Sequence, residues 1–276
     1  MRIVYLTSGN GKDGAGRLAL DIAVGLVRLG HSVVWVAEPL SVLNAEAGQA
    51  GLDVQCFPEC ASKVEKREHV ASVSVGADIV NCHYSPDRKL ALRAGVQRGS
   101  TKLIFTRHAQ VRQLGGSAKF RYGHRVAGHI AVSREVHNGI LHSGVPSRKT
   151  ALVYGGIDTQ RFHQQLAEHT EIEGLRTPGR LNIGIIGRFI ADDGFQPHHA
   201  TRKGHADLFR AVAKLLEITD IDCQVLIIGN GPNQVELIQS VAKHCGLAAD
   251  RLVFAGFVSP VTPAYKSCDV VVLPSD

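Results

Sequence analysis

The feature that most restricts the fold of this chain is a repeated alternation of short apolar segments with helical patterns. The first apolar segment covers residues 3–6, and the helical face after it carries Leu18, Ile22, Leu26 and Leu29. Further strands are expected over residues 32–37, 52–56, 78–82, 102–106, 129–132 and 151–154. Strands that alternate with helices indicate right-handed β-α-β crossovers. We therefore predict an α/β fold with a parallel, doubly wound sheet.

The alternation stops and then begins again, which predicts two domains. Residues 163–180 are polar and contain Pro178-Gly179, as is typical of loops. After them, strands are expected over residues 181–186, 224–228, 252–254 and 270–273, and helices over residues 204–217, 233–244 and about 260–267. We predict two tandem Rossmann-like domains, over residues 1–165 and 181–276, joined by a linker over residues 166–180.

A glycine-rich loop follows the first expected strand and leaves two functions open. Gly9, Gly11 and Gly14 match the G-x-G-x-x-G fingerprint of dinucleotide-binding proteins. Glu38 ends the second expected strand, where an acid can bind a ribose. An NAD-dependent oxidoreductase that uses this loop is therefore one interpretation. Glycines also occur wherever a ligand approaches the backbone or a helix packs closely on a sheet, so the loop alone does not establish NAD binding.

Composition and charge narrow the class of protein. The chain has no run of about 18 apolar residues, and its first residues do not resemble a signal peptide. Its six cysteines are scattered, which favours reduced thiols and a cytoplasmic location. Residues 1–165 carry 21 Lys+Arg and 12 Asp+Glu, and residues 166–276 carry 10 and 13, so the positive net charge lies in the first part of the chain. A basic first half suggests an anionic partner such as a nucleotide or a phospholipid surface. No zinc-finger, RNP or helix-turn-helix signature occurs, so we do not expect nucleic acid as a partner.

Two basic residues in the second half predict an anion site. Arg188 follows the strand expected over residues 181–186, and Lys203 precedes the helix expected over residues 204–217. Arginine can bind phosphate through two hydrogen bonds, lysine supplies a point charge, and a helix N-terminus adds partial positive charge. The alternative is a loop whose basic residues only face water.

Motifs along nearly the whole chain resemble those of family 4 glycosyltransferases with the GT-B fold. In the second half they are Gly187-Arg188, Lys203-Gly204-His205, Ile228 to Pro232, Val253 to Val258 and Asp269 to Ser275. In the first half they are Gly14-Ala15-Gly16, Thr106-Arg107-His108, Ala131-Val132-Ser133 and Gly155 to Asp158, followed by Phe162. The resemblance implies a GT-B architecture of two Rossmann-like domains. It also implies a retaining glycosyltransferase that moves a sugar from a nucleotide-diphosphate donor to a glycan or lipid-linked acceptor.

The resemblance further implies roles for individual residues. The catalytic residues would be His108, Arg188 and Lys203. The two basic residues would stabilise the negative charge that develops on the leaving diphosphate, and the histidine would donate a hydrogen bond near the sugar. The other donor-binding residues would be Gly14, Gly16, Gly231, Phe257 and Val258. The resemblance also implies that no metal ion is bound, and no other cofactor is expected; the nucleotide sugar is a substrate.

A basic segment in the first half predicts contact with a membrane surface. Lys119, Arg121 and Arg125 occur in residues 107–125, which contain aromatic residues and no acidic residue. Basic residues beside aromatic ones suit an anionic membrane, where each charge contributes about 1 kcal/mol. The alternative is a solvated basic face. We expect a cytoplasmic protein that binds peripherally to the inner face of the membrane.

Two features depart from the family pattern. The family has a Glu-x7-Glu motif shortly after the position of Ser275, and its absence predicts an incomplete second domain. The chain is then expected to be a fragment that is inactive as supplied, or a non-catalytic remnant that binds nucleotide sugars. In a 3-2-1-4-5-6 strand order, residues 270–273 would form an apolar sheet edge. Residues 189–202 also form a longer loop than is usual in the family.

Overall fold

The computed structural model divides the chain into two units. It describes residues 1–11, 13–109, 125–160, 162, 171–187, 203–229 and 234–275. The units are Met1–Ile157 and Asp158–Asp276, so the first unit ends before residue 165, the predicted limit of the first domain. Among the described residues, no helix is both long and apolar enough to cross a membrane.

The first unit is a seven-stranded parallel sheet with helical crossovers. Its strands are β1 Arg2–Thr7, β2 Ser32–Ala37, β3 Asp53–Cys56, β4 Ile79–Cys82, β5 Lys102–Arg107, β6 Gly128–Ala131 and β7 Thr150–Leu152. They lie in the order β3-β2-β1-β4-β5-β6-β7. Its described helices are α1 Gly14–Arg28, α2 Asn44–Gln49, α3 Lys63–Val73, α4 Ser85–Ala94 and α5 Arg134–His142. The predicted doubly wound parallel sheet is therefore confirmed.

The sheet of the first unit is buried on both faces, because successive residues of a strand point to opposite sides. Val4 and Leu6 of β1 pack with Phe105 in one core cluster. Tyr5, between them, packs with Trp35 in another. All five side chains are at most 3% exposed. Burial on both faces explains why the strands are continuous apolar runs rather than alternating ones.

Two helices of this unit begin at side chains that cap their N-termini. Oδ1 of Asp13 accepts a hydrogen bond of 2.8 Å from N of Gly16 at the start of α1. At α3, N of Glu65 donates to Oγ of Ser62 at 3.2 Å, and N of Ser62 donates to Oε2 of Glu65 at 2.7 Å. The first N–H groups of a helix have no partner within it, so each cap stabilises the helix by about 1 kcal/mol. Local sequence thus fixes where these crossover helices begin.

The second unit is a smaller parallel sheet of the same kind. Its strands are β8 Leu181–Ile186, β9 Cys223–Ile228, β10 Leu252–Gly256 and β11 Val270–Val271. Its described helices are α6 His205–Ile218, α7 Gln234–His244 and α8 Thr262–Lys266. The strand order β10-β9-β8-β11 is the predicted 3-2-1-4 arrangement. Two Rossmann-like units in tandem are therefore present.

Strand β11 lies at one edge of this sheet, as the sequence predicts. It covers two residues rather than the four expected over residues 270–273. Val270, Val271 and Leu273 are 46%, 42% and 57% exposed. Within the described part of the chain, the prediction of an apolar sheet edge is thus confirmed.

Residues 171–180 pack onto the second unit, although the sequence predicts a linker over residues 166–180. Leu175 is 5% exposed and shares a core cluster with Leu226 of β9. Nε2 of the buried Gln224 donates a hydrogen bond of 3.2 Å to the backbone oxygen of Leu175. A buried amide needs such partners, so this segment is part of the packed unit. The segment is polar and contains a proline, so its composition did not predict that Leu175 is buried.

Candidate functional site

In each unit the strand order reverses at one point. In the first unit this point lies between β1 and β4, and in the second unit it lies between β8 and β11. Ligands of open parallel sheets bind at the carboxyl ends of the strands at such a point, because the flanking crossovers diverge there. The residues that follow these strands are therefore the candidates for function in each unit.

The phenol of Tyr84 closes over the glycine loop that follows β1. Its Oη donates a hydrogen bond of 2.7 Å to Oδ1 of Asp13. A Cβ on Gly9 would lie 2.6 Å from Cζ of Tyr84, and a Cβ on Gly16 would lie 2.9 Å from its Oη. A side chain at either position would therefore require the tyrosine ring to move, whereas glycine leaves room for it. Burial, together with the bond to Asp13, raises the pKa of Tyr84, so the phenol keeps its proton and remains the donor.

These contacts disfavour the interpretation of the loop as a dinucleotide site. The N–H of Gly16 is bonded to the carboxylate of Asp13, whose negative charge lies at the N-terminus of α1. A pyrophosphate bound there would have to displace that carboxylate. Glu38, the acid expected to bind a ribose, is paired with Lys66 at 2.5 Å between Oε1 and Nζ. Gly14 is exposed at the start of α1, and its predicted contact with a ligand, like that of Gly16, stays a prediction.

His108 directly follows β5 and lies against a second histidine. Its Nε2 is 3.0 Å from Nδ1 of His83, which follows β4. The two rings are stacked with centroids 5.2 Å apart, and His83 is also stacked on Tyr5 at 4.9 Å. His83 is 3% exposed, whereas His108 is half-buried. Burial lowers the pKa of both imidazoles, so both rings are neutral near pH 7.

Asp87 holds the two loops of this edge together. It is 1% exposed, and its carboxylate accepts hydrogen bonds from N of Ser8 at 3.1 Å and from N of Tyr84 at 2.9 Å. Burial raises the pKa of Asp87 to about 6. Because one carboxylate binds the backbone on both sides, the Tyr84 ring is kept in place over the glycine loop.

The first unit therefore gathers a carboxylate, a phenol and an imidazole at one edge, from Asp13, Tyr84 and His108. The charge of Asp13 acts on His108, where it opposes the lowering of the histidine pKa. Such groups can both donate hydrogen bonds to hydroxyls and accept hydrogen bonds from them. The negative charge of Asp13 repels anions, so this edge suits a hydroxyl-bearing ligand better than a phosphate.

In the second unit, Lys203 lies beside the carboxyl end of β8. A Cβ on Gly187 would meet Cγ and Cδ of Lys203 at 3.7 Å, so the lysine side chain runs past the residue that precedes Arg188. The structure thus brings a basic group to the strand end where the sequence predicts an anion site. Arg188 itself lies outside the described residues, as does Gly231.

Gly204 and His205 fix the backbone next to Lys203. Gly204 has a φ of 69°, and a Cβ there would overlap the backbone oxygen of Pro274, which follows β11. His205 begins α6 and is 1% exposed. Burial and the charge of Lys203 lower the pKa of His205 to about 4. His205 is therefore uncharged near pH 7, and the positive charge at this turn is that of Lys203.

Phe257 and Val258 follow β10 at the same edge of the second sheet. N of Gly229 donates a hydrogen bond of 2.7 Å to O of Gly256, which ties the ends of β9 and β10 together. Phe257 is 59% exposed, whereas Val258 packs against the cluster that contains Leu226. An exposed aromatic ring at a strand end suits a flat ligand ring. The predicted contact of both residues with a nucleobase stays a prediction.

The predicted membrane residues fall only partly within the described chain. Arg125 is exposed, while Lys119 and Arg121 lie outside the described residues. In the described ranges, no group of three or more histidine, cysteine, aspartate or glutamate side chains is placed to hold a metal ion. The expectation that the site works without a metal stays a prediction.

Comparison with known proteins places the chain in a family. A model described as Glycosyltransferase Family 4 matches residues 12–161, which is more than half of the chain. This chain belongs to glycosyltransferase family 4. A second model, described as Glycosyl transferases group 1, matches residues 184–276. The resemblance drawn from the sequence motifs is thereby confirmed. A comparison with curated protein sequences found no match.

Solved structures confirm the GT-B fold of this family 4 chain. Anabaena HepE, solved with UDP and glucose, is 17% identical with a TM-score of 0.72, and the match covers 100% of this chain and 74% of HepE. A glycosyltransferase from Rickettsia africae is 16% identical with a TM-score of 0.75, and the coverages are 99% and 73%. The lipopolysaccharide outer core galactosyltransferase WaaB in its apo form is 16% identical with a TM-score of 0.64, and the coverages are 100% and 74%. At these identities the likeness shows the fold.

Sequence reasoning missed three polar residues at the edge of the first sheet, namely Asp13, His83 and Tyr84. Each comes one to six residues after a strand, so the sequence alone could have shown that these residues lie near strand ends. No motif marks them, because their partners are distant in sequence and meet only through the sheet order. The one available signal was the excess of glycines around Asp13, which here admits the ring of Tyr84.

Gly204→Ala tests whether Pro274 restricts the turn that carries Lys203. We expect it to destabilise the second unit more than the control Gly179→Ala. Both glycines have positive φ, 69° and 81°, so each alanine incurs roughly 1–2 kcal/mol of left-handed strain. A Cβ on Gly179 meets no described atom within 4 Å, whereas one on Gly204 overlaps Pro274. Hydrogen exchange of the β9 amides measures both losses, and equal losses would contradict the predicted overlap.

Proposed function

We propose that this chain is a retaining hexosyltransferase that moves a sugar from a nucleoside diphosphate to a hydroxyl group of a glycan or lipid-linked acceptor, without a metal ion. The observation that carries the proposal is the position of Lys203 at the carboxyl end of β8, in a chain of glycosyltransferase family 4. Lys203 belongs to the donor side of the reaction. Asp13, Tyr84 and His108 belong to the acceptor side.

On the donor side, the chemistry requires positive charge. Cleavage of the bond between the sugar and the diphosphate leaves negative charge on the leaving group. A cation that binds this charge more strongly in the transition state than in the ground state lowers the barrier. We assign this role to Lys203 and to Arg188, which follows Gly187. Because His205 is neutral, the field at this turn comes from the lysine.

On the acceptor side, the chemistry requires groups that orient a hydroxyl. The Asp13 carboxylate can accept a proton in a hydrogen bond, and the imidazole of His108 can contact a sugar oxygen. A bound hydroxyl can replace water at a polar side chain with little loss of free energy, provided that it forms the hydrogen bonds that the water made. We infer that a glycan or lipid-linked hydroxyl is presented to this edge. The retaining outcome follows from the family resemblance and is measured from the anomeric configuration of the product.

The donor is proposed to be a nucleoside diphosphate sugar. HepE, which shares the fold, was solved with UDP and with glucose, and that observation supports the chemical class without fixing the base or the sugar for this chain. The exposed ring of Phe257 at the end of β10 supports a nucleobase site in the second unit. The NAD alternative is disfavoured, because Asp13 and Tyr84 already occupy the glycine loop.

Calorimetry with UDP, GDP, ADP and NAD tests the donor side. Lys203→Met and Arg188→Met should each weaken diphosphate binding by about 1.5–3 kcal/mol, the contribution of a hydrogen bond to a charged group. Methionine keeps the length of Lys203 along Gly187 and removes its charge. Lys214→Met is the matched control, since Lys214 is paired with Glu217 on α6 and is exposed. Binding should persist in the presence of EDTA.

Two results would contradict the donor assignment. One is tight binding of NAD that survives both substitutions, together with no binding of diphosphates. The other is diphosphate binding that requires a divalent cation, which would overturn the metal-free part of the proposal. Binding of a diphosphate without transfer from any of its sugars would agree with a fragment that is inactive as supplied or with a non-catalytic remnant.

We further propose that the basic segment around Arg125 contacts an anionic membrane, where a lipid-linked acceptor is presented. Arg125 is exposed, as this requires. Binding to phosphatidylglycerol vesicles should weaken with salt and fall when Lys119, Arg121 and Arg125 are replaced by serine. Replacement of the exposed Lys63, Arg67 and Lys89 by serine removes the same three positive charges and is the control for net charge. A protein that ignores anionic vesicles at low salt would exclude this contact.

A further inference from the structure

His83 and His108, at the edge of the first sheet, are close enough for one hydrogen bond between their rings, with one proton between the two nitrogens. Nδ1 of His83 and Nε2 of His108 are 3.0 Å apart, which is a hydrogen-bond distance between two nitrogens. Each neutral imidazole carries one N–H and one bare nitrogen. If His83 donates, its Nε2 is bare and the proton of His108 is on Nδ1. If His108 donates instead, the proton of His83 is on Nε2 and Nδ1 of His108 is bare.

The surroundings of His83 distinguish these two arrangements. Its Nε2 is buried and has no hydrogen-bond partner among the described residues. In the second arrangement this atom would be a buried N–H without an acceptor. Orphaned buried N–H groups are rarer in folded proteins than under-satisfied acceptors, because the unpaired donor loses its bond to water. The first arrangement is therefore the stable one. The stacking of His83 on Tyr5, with ring centroids 4.9 Å apart, prevents the ring from turning freely to another partner.

We propose that His83 is a positioning residue that holds His108 in the tautomer protonated on Nδ1, so that His108 presents an N–H donor at the edge of the sheet. The ligand atom that meets His108 must then be a hydrogen-bond acceptor, such as a hydroxyl or an anionic oxygen. A cation cannot bind at this nitrogen unless the proton is lost. The lowered pKa of both rings agrees with two neutral imidazoles, each with one N–H, of which one lies in the bond between the rings.

This arrangement differs from that of a histidine in water. A free neutral histidine carries its proton mainly on Nε2. Without His83, His108 would therefore be protonated on Nε2, the nitrogen that faces the position of His83, and its Nδ1 would be bare. The partner residue thus changes the exposed nitrogen from an acceptor into a donor. Only the identity of the ligand rests on the proposed function, since the tautomer follows from the histidine pair alone.

Long-range proton–nitrogen NMR of the chain without ligand tests the proposal. The wild-type spectrum should show His108 protonated on Nδ1 and bare on Nε2. His142 supplies an internal reference for that pattern, because its Nδ1 is 2.8 Å from the backbone oxygen of Asn138, which can only accept. His83→Phe keeps a ring that can stack on Tyr5 and removes the donor, so His108 should change to the tautomer protonated on Nε2.

Two outcomes would overturn the proposal. They are a wild-type His108 protonated on Nε2 and a His83→Phe variant with an unchanged His108 tautomer. The wild-type spectrum decides the matter even if a variant fails to fold. Because no ligand is added, a failure of diphosphate binding would leave this result unaffected, and the two proposals can fail separately.

Discussion

Both units depend on the geometry of the parallel β-sheet. Parallel strands must be joined by crossovers, so the carboxyl ends of all strands lie along one edge of each sheet. The order of strands reverses between β1 and β4 and again between β8 and β11. At the first reversal lie the glycine loop and Tyr84. At the second, Gly204 lies against Pro274, and Lys203 reaches the end of β8.

Close contacts within the protein at these sheet edges explain why glycine occurs there better than the binding of a ligand does. Gly9 and Gly16 admit the ring of Tyr84, and Gly204 admits the backbone oxygen of Pro274. A glycine-rich loop after a strand therefore has two physical causes, which sequence alone does not separate. In this chain the first loop is filled by its own tyrosine and carries a carboxylate. The opposite charges of Asp13 and Lys203 then favour a hydroxyl at one edge and a phosphate at the other.

Much of the fold was predictable, because it depends on local patterns. Apolar runs flanked by helical periodicity gave the strands of both units, and the 3-2-1-4 order placed Val270 and Val271 at an edge. The sequence placed Lys203 before a helix, and the structure brings its side chain beside Gly187. The pairing of His83 with His108 was not predictable, because it depends on which strands become neighbours. The packing of Leu175 was missed because Leu175 and Ile172 are too few apolar residues to produce a periodic pattern.

The central claim is that the second unit binds a nucleoside diphosphate while the glycine loop of the first does not. Hydrogen–deuterium exchange with and without UDP measures this directly. We predict slower exchange at residues 203–205 and 256–258, where Lys203 and Phe257 follow the strand ends, and unchanged exchange at residues 9–11 and 13–16. Protection confined to the glycine loop, and produced equally by NAD, would contradict this claim.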